Sequence, residues 1–111
     1  MPIDVTHLAS TVGLCAKAGA TVCGTPLICE ALRKKKPPVL VLLASDAAPN
    51  ATKKLTDKCS FYGVELLRVP LDTAQLALAV GKRGLVAAVA VTNEGLAGVV
   101  RSRLTETELL S

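Results

Sequence analysis

The amino-acid sequence predicts an α/β fold, a three-layer α-β-α sandwich on a largely parallel or mixed sheet. Two observations carry that prediction. The apolar runs Val39 to Ala44 and Leu85 to Val91 have the composition of strands covered on both faces, and Val64 to Val69 reads as a further buried strand. Around them lie segments whose apolar residues recur at helical spacing, so helices and strands alternate along the chain. With 111 residues and 50% hydrophobic content, the chain is about one domain long and buries a core without staples.

Val5, Leu8, Ala9, Val12, Cys15 and Ala16 predict the first helix, with Asp4 as its cap and Gly19 as its stop. Thr21-Val22-Cys23 is long enough only for a very short strand. The second helix is expected to take Thr25 as its N-cap and Pro26 as its first helical residue, with Leu27, Ile28, Ala31 and Leu32 as its apolar stripe. Its far end is expected to be the run Arg33-Lys34-Lys35-Lys36, stopped by Pro37 and Pro38 because proline disfavours helical geometry in the residue before it. Val39 to Ala44 reads as the central strand. Ala51, Leu55, Cys59 and Tyr62 mark a third helix, stopped by Gly63, with Lys53, Lys54, Asp57 and Lys58 facing water. Val64 to Val69 reads as a second buried strand. Asp72 and Gln75 then make a capping-box pair, Leu71 staples to Leu76 across the first turn, and Gly81 closes that helix. After the strand Leu85 to Val91, Thr92-Asn93 caps a last helix carrying Leu96, Val99, Val100 and Leu104. The single domain is expected to span residues 1–104, and residues 105–111 are expected to be a fraying tail without periodicity.

The charge is uneven. The chain carries 13 bases, and with Glu106 and Glu108 of the tail set aside, 7 of its 9 acids remain, a net of +6 for residues 1–104. Such a balance attracts polyanions. Cys15, Cys23, Cys29 and Cys59 form no C-x-x-C pair and stand with one histidine, so no metal site is indicated and the cysteines read as small core residues. The first residues, Met1-Pro2-Ile3-Asp4, lack a secretory pattern, and no stretch approaches the roughly 18 apolar residues of a membrane span. The expectation is a cytoplasmic chain with free thiols and no membrane association.

Enzymatic chemistry finds little support. His7 sits among Thr6, Ser10 and Thr11 on the polar side of the first helix and reads as a surface residue. Asp46 follows the central strand, where α/β sheets commonly place ligands, yet Ser45-Asp46 before Ala47-Ala48-Pro49 is also the chemistry of an ordinary strand-to-helix turn. No nucleotide fingerprint is present, and neither a catalytic group nor a cofactor is expected. Phe61 and Tyr62 are the chain's two aromatic residues, too few for a platform that stacks single-stranded bases. The base-free Gly24-Thr25-Pro26 helix start suits phosphate through its exposed amides, and the Arg33 to Lys36 run suits nucleic acid or is simply a solvated face.

Several stretches together resemble the bacterial members of the L-seven-Ae family of ribosomal proteins, in the YlxQ-type branch. They are Ala18-Gly19 with Gly24-Thr25, Ala31-Leu32-Arg33-Lys34, Val41 to Ala47, Asn50 to Cys59, Gly81-Lys82-Arg83, and Val89 to Gly95. The resemblance covers the chain to about Leu104 and implies a mixed four-stranded sheet of the ribosomal L-thirty-e-like kind. It also implies a non-enzymatic protein, expected to be monomeric, that binds structured RNA, ribosomal or kink-turn, with ribosome-associated proteins as further partners. In the family the start of the second helix enters the major groove of the bend, and a loop before the last strand covers flipped-out nucleotides. Carried onto this chain, the helix positions are Gly24, Thr25, Pro26, Leu27 and Glu30, the loop positions are Gly81, Lys82, Arg83, Gly84 and Leu85, and Arg33, Lys34 and Lys35 lie along flanking phosphates.

Kink-turn readers of the family carry Gly-x-Asn-Glu and then a lysine three residues on. Here Pro26, Leu27 and Glu30 stand at those places. Each lost base-edge hydrogen bond is worth about 1 to 3 kcal/mol, so recognition is expected to rest on backbone and charge more than on bases. The alternative expectation is a degenerate member serving as a protein-interaction or ribosome-assembly module through the apolar Pro26-Leu27 surface.

Overall fold

The computed structural model describes residues 5–110, with side chains for residues 5–107. The order of elements is α1 (Thr6–Lys17), β1 (Thr21–Cys23), α2 (Thr25–Leu32), β2 (Leu40–Leu43), α3 (Pro49–Tyr62), β3 (Glu65–Arg68), α4 (Thr73–Ala79), β4 (Ala88–Val91) and α5 (Glu94–Leu110). The four strands form one sheet in the order β1-β4-β2-β3. β2 runs parallel to β3 and antiparallel to β4, while β1 is antiparallel to β4, so the sheet is mixed.

Alternation along the inner strands builds the layers. Leu40, Leu42, Val89 and Val91 face one side and join Leu8, Val12, Leu76, Ala97 and Val100 of α1, α4 and α5. Val41, Leu43, Ala88 and Ala90 face the other and join Ile28 and Leu32 of α2 with Leu55 and Cys59 of α3. The three-layer sandwich follows, with β2 and β4 buried on both faces.

β3 differs from the buried strand expected at Val64 to Val69. It is an edge strand, with Glu65 and Arg68 exposed and only Leu66 and Leu67 partly covered. Its charges are used locally: Arg68 donates to the Ser45 carbonyl at 2.9 Å, and Glu65 accepts from Arg101 at 2.7 Å.

Most helix ends match their sequence signals. Asp72 accepts from the Gln75 amide at 2.8 Å and Gln75 returns the bond to the Asp72 amide at 2.9 Å, a complete capping box. Leu71 and Leu76 are both buried beside it. Asn93 accepts from the Leu96 amide at 2.9 Å and caps α5. α1 ends on Gly19, where the amides of Gly19 and Ala20 reach back to the carbonyls of Ala16 and Cys15. The Asp4 cap lies outside the described residues.

α5 departs from expectation in two respects. α5 buries Ala97, Val100 and Leu104, while Val99 is exposed and Leu96 only half-buried. The helix also runs on to Leu110, through residues read in the sequence as a fraying tail. Thr107 is buried and donates to the Arg103 carbonyl, and Glu106 meets His7 of α1 at 3.5 Å.

Candidate nucleic-acid interface

The start of α2 is set by Gly24, one residue earlier than expected. Gly24 has φ 90° and ψ 144°, and Thr25 is already helical. A Cβ at Gly24 would meet nothing within 4 Å, so backbone conformation rather than crowding calls for glycine. The cause is visible in the hydrogen bonds: the Gly24 amide completes the sheet by donating to Ala88 at 3.1 Å, and its carbonyl then accepts the first helical bond, from Ile28, at 3.0 Å. The chain leaves β1 and enters a helix within one residue. No side chain caps the first turn. Pro26 carries no amide hydrogen, and the amides of Thr25 and Leu27 point out of an uncapped helix end, the geometry that favours an anion.

The expected apolar stripe of α2 divides. Ile28 and Leu32 enter the core, whereas Leu27 is 57% exposed. α2 also ends at Leu32, four residues short of Lys36. Arg33 and Lys34 donate their amides to Glu30 and Ala31 in a tightened last turn, and Arg33 to Lys36 project from the connection to β2 rather than from the helix. The basic run therefore begins at the C-cap rather than inside the helix.

The loop between α4 and β4 closes the other side. α4 ends with the Gly81 and Lys82 amides on the carbonyls of Leu78 and Ala77, and Val86 returns to the body through the Thr73 carbonyl. All of residues 81–85 are exposed, Leu85 to 73%.

Between these parts lies an open groove of about 490 Å³ along the free edge of β1. Its walls include Gly19, Cys23, Leu27, Lys34, Val80 and Lys82. The fold thus brings Leu27 and Lys34 of the helix region together with Lys82 of the loop. Pro26 and Arg33 face a second groove, of about 330 Å³, on the other side of α2. Gly81 lines a further hollow, of about 320 Å³, beside Gly13 and Leu78. Gly24, Thr25, Lys35, Arg83 and Gly84 line neither of the two grooves that flank α2.

Ion pairing sorts the bases into two sets. Arg101 pairs with Glu65 and Glu94, Arg103 with Glu106, and Lys53 with Asp57. Among the described residues, Lys17, Arg33 to Lys36, Lys54, Lys58, Arg68, Lys82 and Arg83 have no acidic partner, Arg68 being held instead by the Ser45 carbonyl. Most of the uncompensated positive charge lies around α2, with Lys17 on α1 and Arg68 on β3 as the exceptions, and the compensated charge lies on the α5 side and the outer face of α3. Lys54 and Lys58, read in the sequence as merely solvated, line the second groove. Their signal was Asp57, which occupies Lys53 at i,i+4 and leaves the neighbouring pair unpartnered.

Asp46 is not poised for chemistry: its carboxylate accepts from the Thr73 amide at 2.7 Å and from the Thr73 hydroxyl at 3.2 Å, fastening α4 to the turn after β2. The four cysteines are free thiols, Cys15 and Cys59 buried, Cys23 and Cys29 half-buried. Burial, with the neighbouring Cys29 thiol adding to it, pushes the Cys59 thiol up to about 11. Among the described residues, no three metal-ligating side chains converge, and no helix is long and apolar enough to cross a membrane.

Residues 6–100 match the profile of the "Ribosomal protein L7Ae/L30e/S12e/Gadd45 family". The chain belongs to this family. It is 39% identical over 93 residues to the RNA-binding protein YlxQ of Bacillus subtilis, a match covering 84% of this chain and 90% of that protein. A second protein of that name, from Enterococcus faecium, is 32% identical over 71 residues, 64% of this chain and 67% of its own length. Among solved structures, a protein of unknown function from Bacillus halodurans superimposes with a TM-score of 0.80 at 26% identity, covering 92% of this chain and 99% of that one. The Giardia lamblia 15.5kD RNA binding protein superimposes with a TM-score of 0.73 at 21% identity, over 95% of this chain and 88% of its own, a likeness of fold. The YlxQ-type, L7Ae-family assignment and the α-β-α sandwich thus rest on sequence and structure together.

Proposed function

We propose that this L7Ae-family chain is a non-enzymatic, cytoplasmic RNA-binding protein that docks structured, kink-turn-like RNA against the start of α2 and the loop before β4. The observation that carries the reading is the meeting of Leu27 and Lys82 on one groove, beside an uncapped helix end and amid unpaired bases. The names of the YlxQ relatives support it. In this reading Gly24 lets the RNA backbone approach, the Thr25 and Leu27 amides meet phosphate oxygens, and Lys82 and Arg83 hold the RNA from the loop side. Arg33, Lys34 and Lys35 follow the flanking phosphates. Pro26, Leu27 and Glu30 offer no base-reading amide, so binding is shape- and charge-driven and steep in salt. The test is a titration of the protein, expected to be monomeric, against a kink-turn RNA and a straight duplex of equal length at several salt concentrations. Tighter binding to the kinked RNA is expected. Equal affinity for both removes kink-turn recognition, and no binding at low salt removes RNA.

The exposure of Leu27 and Leu85 favours a second reading, an interaction module for ribosome-associated or assembly proteins. Partners held through apolar contact persist at high salt, where RNA is released.

A further inference from the structure

α2 is a ridge between two grooves, and only one of them is used by docking at the β1 edge. The second is lined by Pro26, Cys29, Glu30 and Arg33 of the α2 side and by Lys54 and Lys58 of α3. We propose that this α2–α3 groove is a second phosphodiester track, taking the backbone of the other arm of a bent RNA that diverges at the start of α2. The inference rests on the RNA-binding reading and extends its site to Lys54 and Lys58.

Three observations support it. Lys54 and Lys58 stand one helical turn apart on the side of α3 that faces α2, a like-charge spacing that is unfavourable when nothing anionic lies between. Lys53, on the adjacent side of the same helix, has Asp57 at 3.6 Å, so the charge of α3 is cancelled away from the groove and left whole within it. Glu30 lines both grooves and forms no ion pair with any of the surrounding bases. A carboxylate on the crest of the ridge repels phosphate from the crest and leaves the two flanks attractive. Two basic flanks diverging from one uncapped helix end suit two arms of a bent duplex, which a straight duplex cannot present.

The experiment compares wild type, Lys54→Gln/Lys58→Gln and Lys53→Gln in titrations with a two-armed kink-turn RNA and with the same RNA cut back to one arm. All three lysines are exposed, so the variants fold. On the two-armed RNA the double variant is expected to bind roughly tenfold more weakly at low salt and to lose about 2 from the slope of log affinity against log salt. Lys53→Gln is expected to stay within about twofold of wild type. An independent readout uses the native thiols: saturating two-armed RNA is expected to slow N-ethylmaleimide modification of Cys29 several-fold. A double variant that binds the two-armed RNA as wild type does, a Lys53→Gln variant equally weakened, or a Cys29 rate unchanged by RNA overturns the track. So does a double variant that keeps RNA affinity and loses only an acidic protein partner. Failure of the wild type to bind any RNA is a distinct result and overturns the reading beneath it as well.

Discussion

The Gly24 amide donates to the Ala88 carbonyl at 3.1 Å, and that bond joins the start of α2 to the first residue of β4. The helix end and the loop that precedes β4 are therefore mounted on one rigid strand. Gly24→Ala puts an L side chain on a backbone with φ 90° and is expected to cost about 1–3 kcal/mol of stability. Urea unfolding measures the loss. Unchanged stability would show that the chain can start α2 elsewhere, and RNA affinity would then report directly on the shifted helix end.

Lys82 and Leu27 offer a cleaner probe of the groove, because both are exposed and neither supports the core. Lys82→Ala is expected to leave the unfolding midpoint in place while flattening the salt dependence of RNA affinity by about one phosphate contact. Leu27→Ala is expected to weaken protein capture at high salt only if the apolar surface is a protein contact. An Ala variant at Lys82 that changes neither affinity nor slope would remove the loop from the interface.

Asp46 separates structure from chemistry. Its carboxylate holds the amide and hydroxyl of Thr73, so Asp46→Ala is expected to cost about 1 kcal/mol, in the range of a lost helix cap, with RNA affinity unchanged. The reverse pattern, intact stability and lost affinity, would give this carboxylate a binding role.

The buried Cys59 thiol predicts an alkaline limb. Its folded value is raised from 9.0 to about 11. Between those values the unfolded chain has lost a proton that the folded chain keeps. Stability is therefore full below about pH 9 and falls as pH rises through the window toward 11, by at most about 3 kcal/mol. Cys59→Ala is expected to flatten that limb in a series of urea titrations. An identical limb in the variant would assign it to other groups.

Much of the fold was legible in the sequence because the informative residues act locally. The Asp72–Gln75 box, the Asn93 cap and the continuous runs of β2 and β4 need no knowledge of distant neighbours. What was misread depends on tertiary context. Val64 to Val69 looks like an inner strand, but the sheet order leaves β3 at an edge. Thr25 has the chemistry of a cap, but pairing of Gly24 with Ala88 moves the helix start back by one residue. Arg33 to Lys36 are good helix formers, yet the chain must reach Pro38 and β2, and it leaves the helix at Leu32. The tail kept its helix through Thr107 and Glu106, whose partners lie on α5 itself and on α1. Of the candidate site, the individual residues could be named, but not their division between two grooves, which only the placement of α2 as a ridge reveals.

That ridge has a consequence for how such a protein changes over generations. Pro26, Leu27 and Glu30 are exposed, while Ile28 and Leu32, with half-buried Cys29 beside them, anchor the helix in the core. Substitutions on the crest therefore cost the fold little, and stability places almost no restraint on them. Under the proposed docking, the surface offered to RNA can be altered at these three positions while every buried residue stays the same.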